Sequence, residues 1–196
     1  MEARRKMGRI LLGIILCLIL LPLAVLAWFR FGHPPVAVAD APFPYEQQIV
    51  QIPLNARIDR EMTGNPPIQP DEGTLTAGAQ VYSDQCAVCH GFQGRPSTLG
   101  PSMYPKAPQL WVQHKGSSVV GVCDDPPGET YWKVFNGIRL TGMPEFSSTL
   151  TDTEIWQVTL LLANANKPLP PAAAEIVRGE LPTDATPVAP APPQKP

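Results

Sequence analysis

Charge is scarce in this chain. Of its 196 residues 16% are Asp, Glu, Lys or Arg, and the formal net charge is −2. A chain so near neutrality offers no electrostatic footprint to a polyanion, which argues against nucleic-acid binding by bulk charge. Cysteine is scarce as well. Cys17, Cys86, Cys89 and Cys123 are too few to staple a chain of this length into a dense disulfide scaffold. No strand ladder and no internal repeat is evident. Nor is any nucleophile or acid–base constellation, so neither an enzyme nor a small-molecule substrate is expected. Glu129, Glu145 and the Asp124-Asp125 pair read as solvated charges or helix-start residues.

Proline, by contrast, is abundant and unevenly placed. Of 25 prolines, one falls in residues 1–30, eight in 31–72, seven in 73–167 and nine in 168–196. Proline removes a backbone donor and fixes φ, so dense runs of it resist helix and central strand. The map divides the chain into an N-terminal segment (1–30), a Pro-rich linker (31–72), a domain (73–167) and a Pro/Ala-rich tail (168–196). In the linker, Gln47–Ile52 alternates enough for an edge strand, although a partly ordered spacer is the plainer reading. The tail has few large apolar residues to offset its ordering entropy and is expected to be disordered and polyproline-like, with a short helical turn conceivable at 172–178.

Residues 10–29 contain no charge and lie between Arg9 and Arg30. About 20 apolar residues span a bilayer core as a helix. Arg4, Arg5, Lys6 and Arg9 precede them, so the positive-inside rule keeps the N-terminus cytoplasmic and exports the rest. The segment reads as a retained single-pass anchor touching lipid through residues 10–29. A cleaved signal peptide, with Val25-Leu26-Ala27 at the cleavage site, is the rival.

Within 73–167 the pattern is helical. A helix is expected over Thr76–Gln85 and another over Glu129–Asn136, with Gly137 as an αL cap. A third opens on the capping box Thr151-Asp152-Thr153-Glu154 and carries Ile155, Val158, Leu161 and Leu162 on one face.

The chemistry is concentrated in Cys86-Ala87-Val88-Cys89-His90. This C-x-x-C-H spacing is that of covalent haem attachment. Two cysteines three apart on a helical turn face one side, at the separation of the haem vinyl groups. Each S–H can add across one vinyl to give a thioether, and His90 then approaches the iron. A thioredoxin-like pair would want a βαβ context, and a structural zinc site four ligands; neither is found. The sixth ligand is expected to be Met143, on the Gly142-Met143-Pro144 loop between two helices, where Pro144 stiffens the turn. Met103 and His114 are the weaker candidates. Met103, soon after His90, is expected on the histidine side. Cys123 has no obvious partner and reads as a tolerated substitution in its loop.

These residues resemble the class I c-type cytochromes, and more closely the small membrane-anchored bacterial ones. The resemblance rests on Cys86-Ala87-Val88-Cys89-His90-Gly91, Thr141-Gly142-Met143-Pro144 and the helix from Glu154 to Asn164, and covers about residues 73–167. It implies an all-α fold, with about three to five helices wrapped round one haem c, an N-terminal transmembrane helix and Pro-rich flanks. It also implies that an N-terminal helix crosses the C-terminal helix through Gly78 and Tyr82, opposite Val158 and Leu161. Leucine at 161 departs from the aromatic usual there. A proline carbonyl is expected to hold the haem histidine, with Pro108 in Pro108-Gln109-Leu110 favoured over Pro101, and Leu110 against the haem.

The site residues are thus Cys86, Cys89, His90, Met143, Pro108 and Leu110, with His90 and Met143 on the iron. Both axial positions filled leave only electron transfer. The expected protein is a one-electron carrier on the bacterial inner membrane, with its haem domain in the periplasm. Its partners would be periplasmic or membrane respiratory redox proteins. An accessory subunit of a larger respiratory oxidoreductase is the alternative, and a haem enzyme with a displaceable methionine a more distant one. Six basic and seven acidic residues in 73–167 give no strong charge steering toward a partner.

Overall fold

Helices dominate the structure, a computed structural model that describes residues 2–113, 116 and 118–180. Their order is α1 (Glu2–Phe31), α2 (Glu46–Glu61), α3 (Glu72–Val81), α4 (Ala87–His90), α5 (Pro127–Asn136), α6 (Asp152–Ala163) and α7 (Pro171–Val177). The one bridge of extended backbone outside them, among the described residues, joins Phe92 and Arg95. The chain divides after Glu46 into two compact units.

The first unit is built on α1. Its stretch Arg4–Phe31 is long and apolar enough to cross a membrane, and its side chains are exposed throughout. Pro22 lies inside this helix. At its end Trp28 meets Phe43 edge-on at 5.7 Å between ring centres, and Gly32 N–H donates to Trp28 O at 2.7 Å.

In the second unit α3 and α6 cross and form the centre. Gly78 makes the crossing possible. A methyl group there would overlap the carbonyl oxygen of Gln157 and lie 3.1 Å from Val158 N. The helix backbones therefore touch, the close approach that glycine allows. Around them Ala79, Tyr82, Ile155, Val158 and Leu161 are fully buried. Each large apolar side chain removed from water contributes about 1.5–3 kcal/mol. Helix α6 opens as its sequence indicates. Thr151 Oγ1 accepts from Glu154 N, and the Glu154 carboxylate accepts from Thr151 N at 2.7 Å.

Several sequence expectations differ from what forms. Helix α3 starts earlier than Thr76, because Asp71 caps it by accepting from Thr74 N at 2.8 Å. Its end passes into a π-helical turn over Tyr82–Cys86. Gly137 does take a positive φ of 64°, but with ψ at −176° it is not αL. The backbone there is instead pressed against Pro144 and Glu145.

The linker and tail differ most. Gln47–Ile52 is neither strand nor spacer but part of α2. The far end of α2 is seated on α5: Ile58 is buried, Trp132 Nε1 donates to Glu61 Oε2 at 3.0 Å, and Arg57 lies over the Trp132 ring. In the tail, α7 packs Ala173, Ile176 and Val177 into the core beside α3. Gln93 N–H donates to Val177 O at 2.8 Å, tying α7 to the segment after the cysteine motif. The expectation of disorder over 181–196 lies outside the described residues.

Candidate functional site

The C-x-x-C-H segment is delivered by α3. The π turn carries the chain from Tyr82 to Cys86, and α4 then presents Cys89 and His90 one turn on. Tyr82 spans the motif: its buried hydroxyl donates to Gly91 O at 2.6 Å. Burial holds the phenol well above its ordinary pKa. Gly91 ends α4 with φ at 75°, and a Cβ there would lie 2.8 Å from Ser97 N.

All four cysteines are free thiols, so Cys86 and Cys89 are not a disulfide. Burial, with Cys89 beside it, pushes the Cys86 thiol up to about 12. The Cys86 sulfur therefore keeps its proton at neutral pH. It is compatible with addition of S–H across a vinyl group.

His90 Nδ1 donates to Pro108 O at 2.7 Å, so of the two prolines weighed from the sequence it is Pro108 that meets the ring. Pro101 lies instead in the 3-10 turn Gly100–Ser102. Burial lowers the pKa of His90, and the bond to Pro108 partly opposes this. The result is a neutral imidazole with its proton on Nδ1 and a lone pair on Nε2, the form that ligates a metal.

The support for this arrangement comes largely from Gln109, whose own side chain escaped sequence reasoning. Gln109 Oε1 accepts from Ser97 N at 2.6 Å, while Nε2 donates to Cys89 O at 3.1 Å and Ala107 O at 3.3 Å. Ser97 Oγ donates to Val88 O at 2.6 Å. Leu110 N–H donates to His90 O at 3.2 Å, and Leu110 O accepts from Gly121 N at 2.7 Å. The proximal loop is therefore stitched to both cysteine-turn carbonyls and to the histidine.

Met143 lies on the loop from α5 to α6. Thr141 Oγ1 donates to Ile138 O at 2.6 Å and accepts from Met143 N at 3.1 Å; Ile138 N donates to Met143 O at 3.3 Å. Cys86, Leu110 and Met143, with Tyr131, Phe135 and Phe146, are half-buried and border one core cluster. Tyr131 stacks on Trp156 at 4.3 Å and on Phe135 at 5.7 Å. The backbone of Met103 lies on the loop that runs to Pro108, on the histidine side as expected. Its side chain reaches Gly142, next to Met143. His114 lies outside the described residues. Cys123 has backbone partners: its thiol donates to Val120 O at 3.0 Å and accepts from Asn166 N at 3.3 Å.

The side chains present fit a covalent haem. Two uncommitted thiols and a braced neutral imidazole share one turn. Apolar side chains nearby in the chain remain open to solvent, among them Val88 and Leu99. A flat apolar group bound at that turn has surface to cover.

An all-helical domain whose cysteine–histidine turn opens straight off one of two crossed helices is the design of a c-type cytochrome. Residues 73–161 match the family described as cytochrome c oxidase, cbb3-type, subunit III, and this part of the chain belongs to the c-type cytochromes. Among solved structures, a chain of the reducing HAO-like protein complex of Kuenenia stuttgartiensis is similar at 21% identity with a TM-score of 0.41. The match covers 71% of this chain and 54% of that one, so the present chain spans about half its length. No curated protein matches the chain.

Proposed function

We propose that this protein is a membrane-anchored one-electron carrier with a single haem c. The observation that carries the reading is the His90–Pro108 bond, which leaves Nε2 as the free ring nitrogen on a turn that also carries two free thiols. Haem supplies an iron that takes up and returns one electron when bound. Cys86 and Cys89 hold the group through thioethers. His90 is kept in one tautomer and orientation by Pro108, and Met143 offers its thioether from the α5–α6 loop. With imidazole and thioether both engaged, no position is left for a substrate, and the thioether favours the reduced state. The single C-x-x-C-H motif in the sequence supports one haem. Helix α1 supports attachment to the membrane, with the haem domain on the exported, periplasmic side and respiratory redox proteins as its donors and acceptors.

The test is exported expression with a haem-attachment system, followed by a ferric absorption spectrum. Met143→Ala is expected to abolish the methionine–iron charge-transfer band and Met103→Ala to retain it. Haem that stays with the chain in a denaturing gel should be lost when Cys86 and Cys89 are both alanine. Carbon monoxide binding by the reduced wild-type protein would argue for an enzyme instead.

A second reading has its own support. The matched family is described as an oxidase subunit, which favours a haem-bearing subunit of a larger complex. Mild detergent extraction separates the two: a lone 21 kDa haem protein is the carrier, and stable copurification with other redox chains is the subunit.

A further inference from the structure

We propose that Met103 is a positioning residue for Met143. Its side chain props the Met143 loop at Gly142 and so sets how firmly the thioether of Met143 holds the iron. The proposal rests on the reading of Met143 as an axial ligand.

The contact is specific. Were Gly142 to carry a Cβ, the three atoms closest to it would all be Met103's: the terminal methyl, which would overlap it, the sulfur at 3.5 Å and Cγ at 4.0 Å. Gly142 does not lie in the left-handed region, so its backbone does not itself require glycine. What a side chain there would meet first is Met103.

The prop has a firm base. Met103 sits on a loop closed on itself at Gly100, whose carbonyl accepts from Met103 N and from Ala107 N, each at 3.2 Å. One foot of the loop is fixed because Gly100 N donates to Ser97 Oγ at 3.0 Å and the Gly100 backbone is pressed against Cys89 O. The other foot is fixed by Gln109, which donates to Ala107 O, and by Pro108, which accepts from His90. Met103 therefore reaches from the haem-attachment turn to the methionine loop.

Within residues 138–143 of that loop the firmest bond, Thr141 Oγ1 to Ile138 O at 2.6 Å, does not involve Met143. Met143's own backbone makes two bonds there, at 3.1 and 3.3 Å. Leu140 is held at φ 63° and is 85% exposed, and Gly142 is exposed as well. A loop whose exposed Leu140 is strained, and whose ligand residue makes only two backbone bonds, draws part of its placement from outside contacts. An unbranched thioether chain suits such a gap.

The experiment uses the full-length ferric holoprotein and imidazole as a competitor for the iron. The readouts are loss of the charge-transfer band on titration and the reduction potential. Met103→Ala is expected to keep the band but raise imidazole affinity roughly tenfold, the factor equivalent to about 1.4 kcal/mol. The potential should fall. Met103→Leu fills the same space without sulfur and should restore most of the wild-type behaviour. Gly142→Ala should weaken the ligand too, and by less when Met103 is already alanine, since the overlap is then gone. Met103→Ala behaving as wild type overturns the proposal. So does Met103→Leu behaving like Met103→Ala, because sulfur rather than packing would then be at work. The two readings fail separately. A band that survives Met143→Ala removes the ligand assignment and the prop with it. A band lost in Met143→Ala but indifferent to Met103 removes the prop alone.

Discussion

Gly78 lies backbone to backbone with Gln157, so closely that a single added methyl would overlap the Gln157 carbonyl. Helices α3 and α6 are locked at that point, and the cysteine–histidine turn begins about two helical turns further on. Overpacking normally costs about 1–3 kcal/mol. Here the obstacle is backbone, which cannot swing aside, so Gly78→Ala is expected at or above the top of that range. Denaturant unfolding of the holoprotein measures it. A loss under about 1 kcal/mol would mean the helices do not touch at Gly78.

Gln109→Leu keeps the bulk and removes the hydrogen bonds. Cys89 O, Ala107 O and Ser97 N each lose a partner in a half-buried place. The expected loss is about 1–3 kcal/mol. A Gln109→Leu protein as stable as wild type would show that this stitching contributes nothing.

Glu61 gives a pH dependence. The Trp132 N–H, then the nearby Arg57 and Arg60 charges, hold its carboxyl below the ordinary 4.5. A lowered folded-state value means that the contact stabilises fully above the unfolded value and fades as pH falls through the folded one. The Tm difference between wild type and Glu61→Ala should therefore be constant from about pH 7 to about pH 5 and shrink on further acidification. A difference that persists unchanged into acid would locate the effect in packing alone.

Helix α7 should matter although it lies beyond the segment 73–161. Ile176 is buried among core residues from α3 and α6. Ile176→Ala is expected to cost about 2–5 kcal/mol, the usual range for emptying a core site. Thermal unfolding followed by haem absorbance reads it, and a shift too small to resolve would place α7 outside the folded core.

Much of this fold was legible because its signals are local. The capping box at Thr151 and Glu154, the apolar face of α6 and the spacing of Cys86, Cys89 and His90 all lie within single turns. What stayed hidden depends on contacts distant in the chain. Helix α2 carries Pro53 in its interior and its seat on α5 joins Glu61 to Trp132, a pairing that no local pattern announces. Helix α7 was masked by its prolines. Pro171 stands at the first helical position, where its missing N–H costs nothing, so a residue read as a breaker acts as a start. The reach of the Met103 side chain to Gly142 follows from how two loops close, which spacing from His90 does not encode.

The bond from Tyr82 to the carbonyl of Gly91 acts as a strut across the haem-attachment turn. It fastens the foot of α3 to the residue just beyond the imidazole. The strut thus bridges the π turn that separates α3 from the imidazole.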